Sequence, residues 1–258
     1  MNQAARPEPQ RLAKRLASQL PCSRSEAEAY IAGGWVRVDG QVVEEPMARV
    51  HDSQIVTLDP KARPESLAPV TLIWHKPPRH PVPDASPIPD DWAANVFSAA
   101  TRFKGDRSGV RPLKAHCHKL WHAAPLETRD SGLVVLTQNP GVARKISDAS
   151  SQIEQEWQVR LRAEAGLDTD AERRESIIRS LEKTLFFDGW ALPNAKASWQ
   201  SELRLRLAIK GAVPGQVAHL CKRAGVQATG MHRLRLGRVG LAGLPEGEWR
   251  YLLGYERF

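Results

Sequence analysis

Arg11, Lys14 and Arg15 lie close together near the front of the sequence, and Arg24 and Arg37 follow soon after. Guanidinium and ammonium groups placed like this bind phosphate oxygens, and such contacts hold RNA in position without reading its bases. The whole chain shares the bias. Its 258 residues include 37 Lys and Arg against 29 Asp and Glu, a formal charge of +8, which suits a polyanion that releases counterions on binding. Nucleic acid leads as the partner, ahead of a membrane surface. A second group, His116, Cys117, His118 and His122, has the ligand types of zinc. Its spacing fits no standard pair of ligand pairs, and adjacent residues on a strand point to opposite faces, so no metal site is expected. Cys22, Cys117 and Cys221 are too few and too far apart for a disulfide framework and read as reduced thiols. No apolar run approaches the roughly 20 residues needed to cross a bilayer. The opening MNQAARPEPQ also lacks the apolar stretch of a signal peptide. A cytoplasmic protein without membrane association is expected, with a monomer as the default.

The basic residues need elements to present them. Leu12, Leu16 and Leu20 recur every fourth position and leave Arg11, Lys14 and Arg15 on the other side, which predicts a basic amphipathic helix over 11–20. Pro21 and Cys22 break it. Ser23-Arg24-Ser25-Glu26 has the form in which a hydroxyl and a carboxylate satisfy free amides at a helix start, so a second helix is expected to run to about Ala32. Residues 35–38 alternate as a strand, Asp39-Gly40 reads as a hairpin turn, and 41–43 and 55–58 complete a small sheet. A domain over 1–60 and a linker over 61–69 result, leaving 70–258 as a larger domain.

In that larger part, 70–74 reads as a buried strand ending in His75-Lys76-Pro77, followed by a surface stretch with six prolines between Pro77 and Pro89. Residues 132–137, GLVVLT, form a continuous apolar strand. Helices are expected over 142–151, 171–183 and 216–224, and strands over 156–161, 203–208 and 234–237. The elements lack the regular alternation of a parallel doubly wound sheet, so the fold class is α+β, with a largely antiparallel sheet flanked by helices.

Two stretches carry a family resemblance. RLAKRLASQLPCSRSEAEAYIAGGWVRVDGQVV resembles the small RNA-binding module named after the fourth protein of the small ribosomal subunit. Farther on, Lys76-Pro77, LWHAAPLETRDSGLVVLTQN, Gln155 to Val159, Gly215 to Leu220 and HRLRLGRVGLAGLPEGEWRYL follow in order the motifs of the bacterial ribosomal-RNA pseudouridine synthases. The resemblance implies ribosomal RNA as partner, isomerisation of uridine as the reaction and no cofactor. By position within it, Lys76, Gln216 and Arg233 would meet RNA together with Arg11, Lys14, Arg15, Arg24 and Arg37.

The departures from that family fall at its reactive positions. Its catalytic aspartate corresponds to Glu127, the arginine before it to Pro125, its active-site tyrosine to Trp157, and the first arginine of its late helix to Gly215. Glutamate keeps the charge but adds a methylene, which moves the carboxylate beyond the roughly 0.5 Å tolerance of a preorganised site. An error of about 1 Å can cost about a hundredfold in rate. Trp157 can still stack on a base, although an indole accepts no hydrogen bond. Asp130, three residues on, stands where the family prefers a hydroxyl; it is a nearby carboxylate able to take over from Glu127, but a turn or cap carboxylate is the favoured reading. Two readings stay open: an isomerase that works with Glu127, and a silent relative kept for RNA binding or ribosome assembly. The clustered replacements at reactive positions favour the second.

Overall fold

A computed structural model describes residues 8–148, 152–164, 167, 169–183, 186–187, 189–191, 194–211 and 214–258. The chain forms two compact units, one built from the part up to Pro69 together with Arg111–Cys117, the other from Val70–Val110 and His118–Phe258. Among the described residues no helix is long and apolar enough to cross a membrane.

The front unit begins with β1 (Gln10–Arg11), α1 (Leu12–Gln19) and α2 (Arg24–Ala32). Strands β2 (Val36–Val38), β3 (Gln41–Val42), β4 (Arg49–Val50) and β5 (Val56–Leu58) follow. Leu12 and Leu16 bury the inner stripe of α1 against Ala27 and Ile31 of α2 and against Val36, Val38 and Val50, the periodicity seen in the sequence. At the start of α2 the Glu26 amide donates to Ser23 Oγ at 3.2 Å, and the Ser23 amide donates to Glu26 Oε2 at 2.7 Å, so the capping box forms as expected. The β2–β3 turn puts Asp39 and Gly40 at φ 50° and 82°, and the Asp39 carboxylate accepts from the Ile55 amide at 2.9 Å. The part played by Arg111–Cys117 was not foreseen. Arg111 donates to the Gly34 carbonyl at 2.8 Å and lies 4.0 Å from the Trp35 ring centroid, a cation–π contact.

The large unit runs β6 (Thr71–Lys76), α3 (Asp90–Val96), β7 (Trp121–His122), β8 (Ser131–Thr137), α4 (Pro140–Ser147) and β9 (Glu154–Leu161). It continues with α5 (Ala171–Glu182), the short pair β10 (Phe186–Phe187) and β11 (Trp190–Ala191), β12 (Lys196–Ser201) and β13 (Arg204–Lys210). It closes with α6 (Gln216–Arg223), β14 (Ala228–Leu236), β15 (Val239–Gly240) and β16 (Trp249–Tyr251). The main sheet has the order β12-β13-β9-β14-β8-β6-β16. The fold is α+β, as expected, and the sheet is antiparallel except where β14 meets β8 in parallel. At that joint Gly132 has φ +110°, and a Cβ there would stand 2.3 Å from the Arg233 carbonyl oxygen, so only glycine lets the two strands approach. The helix expected over 142–151 begins earlier and ends at Ser147, while 149–151 lie outside the described residues. Ile73, Leu133 and Val135 pack with Leu236 and Val239 in the core on one side of the sheet.

Candidate active site

The segment joining β7 to β8 carries Glu127 and Asp130, and Lys76 fixes it from behind. Lys76 is 0% exposed. Its ammonium donates to the carbonyls of Pro77 at 3.1 Å, Thr128 at 3.0 Å and Asp130 at 2.6 Å, which uses all three of its protons. Burial pushes this group down to about 8. A backbone bond from the Asp130 amide to the Glu127 carbonyl, 3.0 Å, closes the turn between the two acids.

The two carboxylates then meet different surroundings. Glu127 is a third exposed and pairs with Arg129 Nε at 2.8 Å. Asp130 is 3% exposed. Among the described residues its carboxylate accepts no hydrogen bond, and the cation within ion-pair range is Arg129 Nε at 4.0 Å. Burial and the neighbouring Glu127 push it up to about 6, against weaker opposing pulls from Arg129, Lys76 and Arg233.

Arg233 enters from β14 at the Gly132 joint and is 1% exposed. It donates to the carbonyls of Ala124 at 2.6 Å and Leu133 at 2.7 Å and to Gln155 Oε1 at 3.2 Å. Its guanidinium lies 5.4 Å from the Trp157 ring centroid. Burial pushes it down to about 9. His122, on β7, is pushed down to about 4 by burial and by the charges of Arg233 and Lys76, so it stays neutral near pH 7. Pro125, Glu127, Asp130, Trp157, Gly215 and Arg233 surround one crevice of about 10 Å³, room for about one water molecule. Beside it, between α6 and β14, lies a cavity of about 390 Å³ lined by Arg129, Asp130, Ala218, Lys222 and Thr229 among others. Asp130 and Met231 line both.

Comparison with known proteins places this arrangement. The S4 domain family matches residues 10–56. Over 249 residues the chain is 23% identical to the dual-specificity RNA pseudouridine synthase RluF of Salmonella typhi and 24% identical to that of Escherichia coli K12, covering 94% of this chain and 75% of each relative. It is 26% identical to an uncharacterized RNA pseudouridine synthase of Aquifex aeolicus, covering 94% of this chain and 92% of that one. A solved crystal structure of a pseudouridylate synthase superposes with a TM-score of 0.53 at 21% identity, covering 94% and 95% of the two chains. The chain is thus similar along nearly its whole length to RNA pseudouridine synthases, and it shares the fold of one.

On this fold the residues singled out in the sequence separate into two groups. Glu127, Trp157 and Arg233 meet at the crevice, which Pro125 and Gly215 also line. Trp157 is buried, and its indole nitrogen has no hydrogen-bond partner among the described residues. Three residues expected to meet RNA are instead interior: Lys76, Gln216 and Arg233. The carbonyls that face Lys76 and Arg233 compensate their burial, which no local pattern announces. In the front unit Arg11, Lys14, Arg24 and Arg37 are exposed. Arg15 is held by Asp52 at 2.9 Å, Arg24 by Glu28 at 3.2 Å, and Arg37 donates to the Gly40 carbonyl at 3.0 Å. Arg11 and Lys14 enter no ion pair among the described residues. The sequence reading missed Asp130 as an interior acid; its one signal was that it directly precedes a strand apolar on both faces.

Proposed function

We propose that the protein binds structured ribosomal RNA and isomerises a uridine in it to pseudouridine, acting in the cytoplasm as a monomer without a metal or organic cofactor. The reaction breaks the bond from uracil N1 to ribose C1′, turns the base, and joins C5 to C1′, while the C5 proton is lost and N1 regains one. Nothing is oxidised or reduced. A carboxylate acts on C1′ as nucleophile or charge stabiliser, and the base must first leave its stack. The front unit supplies phosphate contacts from Arg11 and Lys14, with Arg24 and Arg37 available where RNA competes with their present partners.

The observation that carries this reading is Asp130. A buried carboxylate without a hydrogen-bond donor costs stability, and proteins keep such groups mainly where chemistry needs them. A synthase that had lost its reaction would be more stable with a neutral residue there. The binding-only reading has its own support, because the crevice at Glu127 holds too little space for a base. The experiment that separates them incubates the purified protein with ribosomal RNA from a strain lacking its gene and maps pseudouridine by chemical labelling. A new modified position is expected; none at all would mean that the scaffold is kept for binding.

A further inference from the structure

We propose that the target nucleoside enters the 390 Å³ cavity between α6 and β14, and that Asp130, not Glu127, is the reacting carboxylate. This deepens the isomerase reading and rests on it for the chemistry. The two cavities differ in what they can hold. Small-molecule sites run from about 300 to 1,000 Å³, whereas the crevice at Glu127 has about 10 Å³, near the space of a single water. Their linings differ as well. The larger one has cations at Arg129 and Lys222, the small apolar Ala218 and Met231, and the hydroxyl of Thr229. That set suits a phosphate at the rim and a flat base against the walls.

Asp130 is the acid that lines this cavity, and its side chain is 4% exposed with no hydrogen-bond donor among the described residues. A carboxylate whose lone pairs are unclaimed is available to an incoming C1′. Glu127 does not line the cavity, and its oxygen is occupied by Arg129. Lys76, bonded to the Asp130 carbonyl, fixes the backbone from which the acid projects, and the buried Arg233 adds positive charge nearby.

The chemistry balances on this assignment. A carboxylate oxygen of Asp130 bonds to C1′ as the N1–C1′ bond breaks, and the bonding pair leaves on uracil. The base turns. C5 then bonds to C1′ and expels the carboxylate with the electron pair that joined it to the sugar. The proton on C5 departs and N1 takes one up, so Asp130 ends as it began. Since the acid is pushed up only to about 6, most of it is ionised at neutral pH.

Two measurements test the assignment. In the labelling assay, Asp130→Asn should lose on the order of a hundredfold or more in modification rate, at least about tenfold beyond the loss in Glu127→Gln. A loss in Glu127→Gln equal to or greater than that in Asp130→Asn would overturn the role of Asp130, while pseudouridine formation by the native protein would still stand. Independently, uridine 5′-monophosphate is titrated by NMR into the native protein and into Ala218→Trp, which fills the cavity from α6. Saturable binding that weakens about tenfold or more in Ala218→Trp, with unchanged circular dichroism, is expected. The same titration is run on Thr229→Trp, which reaches the cavity from an exposed position on β14 should the helix variant fail to fold. Absence of saturable binding, or binding untouched by a folded cavity variant, would overturn the cavity as the nucleoside site, even if the native protein modified no RNA.

Discussion

Replacing Asp130 by Asn should stabilise the protein at neutral pH. The folded carboxyl sits at about 6 against an ordinary value of 3.8, a difference of about two units, or about 3 kcal/mol. The residue is 3% exposed but lines the 390 Å³ cavity, where solvent screens part of this term, so the figure is an upper bound. A folded-state value above the unfolded one means that the native form holds its proton more tightly. Its contribution is therefore fully present below the unfolded value and is lost as pH rises through about 6. Above that pH the native state must bury a charge. Asn removes the charge but buries an amide, which costs about 1–2 kcal/mol at any pH. The net gain near neutrality is then at most about 1–2 kcal/mol, and the clearer quantity is the change with pH. The stability of Asp130→Asn relative to the native protein should rise by about 2 kcal/mol between about pH 4.5 and about pH 7.5. Urea unfolding followed by circular dichroism at the two pH values measures it. A difference that stays flat with pH would refute the account of Asp130 as a buried, poorly compensated acid. A substitution that both stabilises the fold and removes modification would mark the position as one held for function.

Two further outcomes follow from the site and the front unit. Lys76→Met leaves the carbonyls of Pro77, Thr128 and Asp130 without their shared donor; a loss of about 3 kcal/mol in urea unfolding is expected, and a change under about 0.5 kcal/mol would dismiss the clamp. Arg11→Ala with Lys14→Ala should weaken ribosomal-RNA binding and reduce the slope of log affinity against log salt by about 1–2; an unchanged slope would remove these side chains from the phosphate contacts.

Much of the fold was legible because its elements carry strong local patterns. Leu12 and Leu16 at helical spacing, the Ser23–Glu26 capping box and the apolar run of β8 each point to one structure. Other elements lack such signals. β12 lies at the sheet edge and is mostly exposed, and its alternation is limited to Ala197 and Trp199 among polar residues, too short to announce a strand. α3 is a short helix with Pro89 at its N-cap, set after a proline-rich stretch. The first half of β14 has little apolar alternation and is recognisable only from its pairing with β9. At the site, motif order singled out Glu127 and Trp157, which the fold brings to one crevice, but placed Arg233 among the RNA contacts. The burial of Lys76, Gln216 and Arg233 could not be read from it, because charged and amide side chains are ordinarily at the surface and go inside only where tertiary structure brings partners to them.

The contribution of Arg111–Cys117 to the front unit has a consequence for modular inheritance. That unit is discontinuous in sequence, since the backbone crosses its boundary after Pro69, before Arg111 and after Cys117. A gene fragment stopping at the first of these crossings would encode Trp35 without its guanidinium and Gly34 without the donor to its carbonyl. Such a fragment would keep the apolar core from Leu12 to Val50 but lack these two contacts. A fragment that keeps the strap must run through Cys117 and so carries Val70–Val110 of the large unit with it.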